Sequence, residues 1–184
     1  MTYDKNWAIE KREKSEQLDF LFFWGHQPSE DGSTTKSCFS QWWVAPFTVD
    51  GQIYKTAEHW MMAAKAKLFN DDSIALKILD AESPAEVKKL GRLVNGFDPI
   101  VWEVHKYDIV VKGNQYKFSQ HPALKSFLIA TESKIIVEAS PVDNIWGIGM
   151  AASDSGVYDP QKWKGENLLG FALMEVRDKL RNNE

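Results

Sequence analysis

The stretch Thr56-Ala57-Glu58-His59-Trp60-Met61-Met62-Ala63-Ala64-Lys65-Ala66-Lys67-Leu68-Phe69 constrains this chain more than any other. Ala, Met, Lys and Leu are strong helix formers. Thr56 is a natural N-cap, because its hydroxyl accepts an orphan N–H of the first turn. Glu58 falls in that first turn, where the helix dipole favours a carboxylate. At helical spacing Glu58, Met61, Met62, Lys65 and Phe69 share one side. A carboxylate and an ammonium therefore interrupt an otherwise apolar stripe. Buried charge is unfavourable unless paired or used. Either the stripe lies at an exposed edge with ordinary solvated charges, or it is the wall of a pocket.

The chain has 184 residues, 43% hydrophobic and 26% charged, which suits one folded domain with a sizeable core. Its eight Trp suit a core and also pockets that stack planar rings. A net charge of −4 argues against a grip on duplex phosphates over a broad basic face. It leaves room for a pocket that holds one nucleotide. Cys38 stands alone, so no internal disulfide forms and a reducing cytoplasm is the expected location. Cys and His show no zinc spacing. No apolar run reaches membrane-spanning length, and Met1 to Glu16 is too charged for a signal peptide.

Asp4 to Gln17 reads as a short surface helix or a frayed extension, and Leu18 to Gly25 as a buried strand. Gln27 to Ser37 is rich in loop formers. Asp50-Gly51 between two β-prone runs marks a type I′ hairpin that delivers the chain to Thr56. Asp71 and Asp72 cap a short helix through Ile74 and Ile78. Ser83-Pro84-Ala85-Glu86 is a capping box with Pro at the first helical position. The helix it opens carries Val87, Leu90, Leu93 and Val94, and Gly96 is placed to end it.

Asp98-Pro99 starts a longer helix with Trp102, His105, Ile109 and Val110 on its apolar face. Gly113-Asn114 weakens its far part, and His121-Pro122 breaks it. Ala123 to Ala130 forms another helix and Lys134 to Ala139 a strand. Ser140 to Pro160 is a long irregular segment, of the kind that usually carries function. Leu168 to Leu180 is a final core-facing helix. The sum is an α+β fold: a mostly helical single domain over 19–184, after an extension over 1–18. Its small sheet is expected to join the hairpin to the strand near Ile136.

Four polar positions stand out for chemistry: Glu58, Lys65, Arg92 and Asp143. Two carboxylates converging on one bond suit glycoside cleavage, one as acid or base and one stabilising an oxocarbenium-like centre. A lysine beside them orients a phosphate or, when desolvated, attacks an opened sugar. Tryptophans near such a site stack a base. By spacing alone, Glu58 and Lys65 equally describe a surface pair worth under about 1 kcal/mol.

A joint pattern of motifs narrows the reading. Phe39-Ser40-Gln41-Trp42, Thr56-Ala57-Glu58-His59-Trp60 with Ala64-Lys65, Leu90-Gly91-Arg92, Trp102, Lys117-Phe118, Asp143-Asn144-Ile145-Trp146-Gly147 and Trp163-Lys164-Gly165-Glu166-Asn167-Leu168-Leu169-Gly170 resemble, in order and spacing, the NADAR (YbiA-like) family, from about Leu21 to Leu180. The resemblance implies a YbiA-like fold and an N-glycosidase of phosphoribosyl-aminopyrimidines, the early riboflavin-pathway intermediates. Its alternative is removal of ADP-ribose from guanine bases of nucleic acid. The implied partner is thus a small phosphoribosyl or ADP-ribosyl substrate, free or carried on nucleic acid, with no membrane, metal or cofactor.

By the resemblance Glu58, Trp102 and Asp143 match the family's functional positions, Lys65 its helix lysine and Trp146 its loop tryptophan; Glu58, Lys65 and Asp143 are the catalytic candidates. Trp102, Trp146, Arg92, Phe39, Ser40 and Gln41 are the matching substrate-binding candidates. Gln41 stands where the family usually has Asn, Ala57 where Ser is frequent, and Ile148 where Asp is frequent. Two other classes compete with the enzyme: a module that holds an ADP-ribose-like ligand without turnover, and a helical interaction protein.

Overall fold

The computed structural model describes residues 2–14 and 17–182. Among them the order is α1 (Lys5–Glu13), β1 (Phe20–Phe23), β2 (Val44–Val49), β3 (Gln52–Thr56), α2 (Ala57–Leu68), α3 (Asp72–Asp80), α4 (Pro84–Gly91), α5 (Pro99–Gln120), α6 (Pro122–Ile129), β4 (Ile135–Glu138) and α7 (Leu168–Asn182). The class is α+β and mostly helical. The chain gathers into two compact units, one over Gln41–His121 and one formed by Met1–Ser40 with Pro122–Glu184. Among the described residues no helix is long and apolar enough to cross a membrane.

In the unit Gln41–His121, Asp50 and Gly51 adopt φ of 50° and 80°, the doubly positive pair a type I′ turn demands. Antiparallel β2 and β3 pair Phe47 with Tyr54 and Val49 with Gln52. Their register shifts between Val44 and Phe47, which accommodates Pro46, a residue with no N–H for the ladder. Thr56 ends β3 and caps α2, accepting from His59 N–H at 3.4 Å. Helices α3, α4 and α5 all pack on α2. Asp71 caps α3 through Ile74 N–H and accepts from both the backbone and side-chain nitrogens of Asn95.

Two expectations in this unit change. The capping box forms, with Glu86 N–H donating to Ser83 Oγ at 3.2 Å. Helix α4 nevertheless ends at Gly91, five residues before Gly96, and Leu93 is 62% exposed. Lys65 and the Asp71–Asn95 tie supply partners for the backbone that follows, so no further helical turn is needed. Helix α5 runs unbroken through Gly113-Asn114. Any Cβ at 113 would run into the Trp60 indole, which packs there and donates to the Ile109 carbonyl at 2.8 Å. His105 on α5 faces solvent rather than the apolar side.

In the other unit β1 and β4 are parallel, pairing Phe20 with Ile135 and Phe23 with Glu138. The hairpin does not join β4: the sheet is two separate two-stranded pieces. The cause is local. Asn167 turns into α7 at φ 57° and covers the free edge of β4, accepting from Glu138 N–H at 2.9 Å and donating to Ile136 O at 3.0 Å. A side-chain amide thus stands where a further strand would pair. Gly170 lets α7 press its backbone onto β4, since a Cβ there would collide with the Ile136 carbonyl. Helix α1, capped by Asp4, packs into this unit. Lys5 Nζ donates to Trp163 O at 2.6 Å, and Trp7 lies edge-on to Phe171.

Candidate active site

Helix α2 carries the centre of the site in its unit. Glu58 is 4% exposed in the first turn, and its N–H donates to Gln41 O at 3.0 Å. Lys65 lies two turns further, about 10 Å along the axis. Its Nζ donates to Gly91 O at 2.7 Å and sits 4.1 Å from the Phe97 ring centroid and 5.7 Å from that of Trp102. Among the described residues Lys65 makes no ion pair. Glu58 and Lys65 are therefore not a surface ion pair, and Met61 and Met62 between them are buried. Burial pushes the Lys65 amine below its ordinary value.

Gln41 braces the start of α2 against α5. Its Oε1 accepts from Asn114 Nδ2 at 2.8 Å, and the same Nδ2 donates to Val110 O at 2.9 Å. Gln41 Nε2 and Asn114 Oδ1 have no hydrogen-bond partner. Since Val110 O requires a donor, the Asn114 amide has one orientation, and that in turn orients Gln41. Asn114 and Lys117 are wholly buried on α5. Arg92 caps the end of α4 and is exposed, and Trp102 is half-buried.

His59, next to Glu58, is turned to structure. Its Nε2–H donates to Ala81 O at 3.1 Å, so Nδ1 accepts from the Thr56 hydroxyl at 2.8 Å. Burial pushes its pKa below the ordinary 6.5.

The remaining predicted residues belong to the other unit. Asp143 Oδ1 accepts from Ile145 N–H at 2.9 Å and Trp146 N–H at 2.8 Å, which shapes its own loop. Its Oδ2 bears no hydrogen bond among the described residues. Trp146 is half-buried beside it, and Ile148, where the resemblance favours an acid, is fully buried. Phe39 packs wholly buried between Phe23 and Phe127, and Ser40 follows it, half-buried.

The structure thus brings together Lys65 and Trp102, Gln41 and Glu58, and Asp143 and Trp146. Phe97 and Asn114 escaped the sequence reading. Phe97 follows a glycine in a loop, and Asn114 read only as a helix-weakening neighbour of Gly113. A polar residue on the buried stripe of α5 was the available signal. Among the described residues no group of three or more His, Cys, Asp or Glu is placed to hold a metal ion.

The NADAR domain model matches residues 22–181. The chain is 43% identical over 164 residues to N-glycosidase R617 of Acanthamoeba polyphaga mimivirus, covering 86% of this chain and 95% of that protein. It is 33% identical over 144 residues to N-glycosidase YbiA of Escherichia coli, covering 77% and 80%. The NMR structure of E. coli YbiA superposes with a TM-score of 0.71 at 29% identity, over 91% of this chain and 88% of that one. A riboflavin biosynthesis protein of maize, PYRR, is 32% identical over 134 residues, which are 69% of this chain and 20% of that protein.

Proposed function

This chain belongs to the NADAR family and is an N-glycosidase, and we propose that it cleaves the bond between ribose C1 and a ring-linked nitrogen in phosphoribosyl-aminopyrimidines. Likeness to the maize riboflavin biosynthesis protein supports that substrate class. One observation carries the mechanism: a half-buried amine, Lys65, is held by the Gly91 carbonyl beside two aromatic rings, on the same helix as the buried carboxylate Glu58.

A neutral amine is a nucleophile, and burial enlarges the neutral fraction. The Lys65 lone pair bonds to C1, the C1–N bond breaks, and the amine proton goes to the departing base. The ring C1–O bond of the adduct then opens as the ring oxygen takes up a proton, leaving an iminium between C1 and Lys65 that borohydride reduces; water otherwise adds at C1 and returns the free amine and the free sugar. The Glu58 carboxylate stabilises positive charge at C1 and relays the proton. Phe97 and Trp102 offer flat faces to the base. Arg92 forks onto the phosphate. Gln41 completes the binding set in this unit. The protein acts in the cytoplasm in this reading.

A second substrate, ADP-ribose on guanine in nucleic acid, contains the same kind of bond. Phe97, whose ring centroid lies 4.1 Å from the amine, is 43% exposed, which favours room for a larger carrier.

The test is an assay of the purified protein on both substrates with borohydride trapping. Turnover with a sugar adduct at Lys65, lost in Lys65→Ala, supports the covalent route. Turnover that survives Lys65→Ala and Glu58→Gln together removes both from the chemistry. Saturable binding without cleavage replaces the enzyme with a binding module.

A further inference from the structure

Helix α1 precedes the residues that match the family model, and the chemistry above gives it no task. With α7 it lines a half-open cavity of about 390 Å³, within the size range of small-molecule sites. The floor is apolar, with Ile135 2% and Met174 1% exposed. Tyr3 and Trp7 form one wall, their rings edge-on with centroids 4.8 Å apart.

Arg177 lines this cavity and is 3% exposed. A guanidinium has five N–H donors. Nη1 donates to Thr131 Oγ1 at 3.0 Å and Lys134 O at 2.8 Å, whereas Nε has no hydrogen bond. The nearest carboxylate oxygen, Asp178 Oδ1, stands 3.8 Å from Nε, and Asp178 Oδ2 accepts from the Tyr3 hydroxyl. Asp178 therefore forms an ion pair with Arg177 that leaves Nε without a hydrogen bond among the described residues, and a buried guanidinium so placed favours a further anion. Arg181, one turn along α7, and Lys11 on α1 bring two more cations to the rim. Of the other carboxylates, Asp19 is paired with Lys134 at 3.6 Å. Glu132 stands on the rim in left-handed backbone, at φ 53°, a strain that tends to mark functional positions.

We infer that this cavity is a second ligand site, built by the N-terminal helix, for a ring-bearing phosphate monoester of nucleotide size. The phosphate lies on Arg177 with Arg181 and Lys11, and the ring lies against Trp7. The inference stands apart from the glycosidase reading, since it uses none of its residues.

The experiment is calorimetric titration of the intact protein with AMP, adenosine and inorganic phosphate, repeated on Lys65→Ala and on the surface variant Lys11→Glu with Arg181→Glu. AMP is expected to bind saturably, phosphate more weakly and adenosine not at all. The double variant is expected to bind AMP about tenfold or more weakly with its melting curve and glycosidase activity unchanged, while Lys65→Ala binds AMP as the parent does. Absence of saturable AMP binding tighter than about 1 mM overturns the site. So does AMP binding that survives the double variant and vanishes in Lys65→Ala.

Discussion

Helices α2 and α7 each run through the core of their own unit, and they are built on different terms. On α7 the buried positions are apolar almost throughout, from Leu168, Leu169 and Phe171 to Val176 and Leu180. Its one buried cation, Arg177, gives two hydrogen bonds to neighbouring chain. Helix α2 buries Ala57, Met61 and Met62 but also Glu58 and His59. Its half-buried Lys65 has a carbonyl and aromatic rings for company and, among the described residues, no ion-pair partner. A helix that serves packing keeps its pattern clean. One that breaks its own pattern with chargeable groups, each placed by several contacts, is where chemistry belongs.

The contrast breaks first at Glu58. Glu58→Gln keeps shape and removes charge, so kcat is expected to fall about 10²–10³-fold with little change in unfolding midpoint. Steady-state kinetics that match the parent would remove Glu58 from the chemistry and leave its burial a matter of packing. Next in size comes the mirror experiment on α7. Gly170→Ala forces a Cβ against the Ile136 carbonyl, and urea unfolding is expected to show a loss of about 1–3 kcal/mol. Activity per folded molecule should stay as it was; a kinetic defect would mean α7 also shapes the site.

Smaller effects concern the cover over Lys65. Phe97→Leu retains the shielding but loses the ring face, worth about 0.5–1 kcal/mol to an ammonium. The pH midpoint of borohydride trapping is then expected to move down by about half a unit. Phe97→Ala admits water and should move it up, toward the ordinary lysine range. Identical profiles for the two variants would show that the ring has no bearing on the amine.

The smallest expected change is a pH slope in stability. His59 is held neutral, its folded pKa depressed below 6.5 by burial. The unfolded chain binds the extra proton first, so this contribution is complete above about pH 6.5 and is lost as pH falls toward the folded value. Unfolding at pH 7.5 and pH 5 should show a drop that His59→Gln lessens; an equal drop in both proteins would assign it elsewhere.

Much of the local structure was legible in the residues. Thr56, Asp71, Ser83 and Asp98 cap helices where their spacing indicates, because a cap involves groups three residues apart. Asp50-Gly51 makes its turn for the same reason. The polar breaks in the α2 stripe pointed to Glu58 and Lys65, of which Glu58 is buried and Lys65 half-buried. What stayed hidden involved distant partners. Nothing near Gly91 announces that α4 stops there. The ring over Lys65 comes from a loop 32 residues on, and the brace on Gln41 from a helix 73 residues away. Aspartate at 143 looked like a reacting acid, and one of its oxygens turns out to hold its loop.

By itself, then, the amino-acid order determined which segments are helices, where most of them begin, how the hairpin turns and which helix bears the unusual charges. These follow from interactions between residues a few positions apart, which any conformation containing the segment already provides. Only the tertiary structure decided that β4 pairs with β1 instead of the hairpin, that Asn167 covers its other edge, and that Lys65 is half-buried beside Phe97 and Trp102. Those outcomes depend on which far-off groups remove a side chain from water, and a linear sequence does not state distances in space.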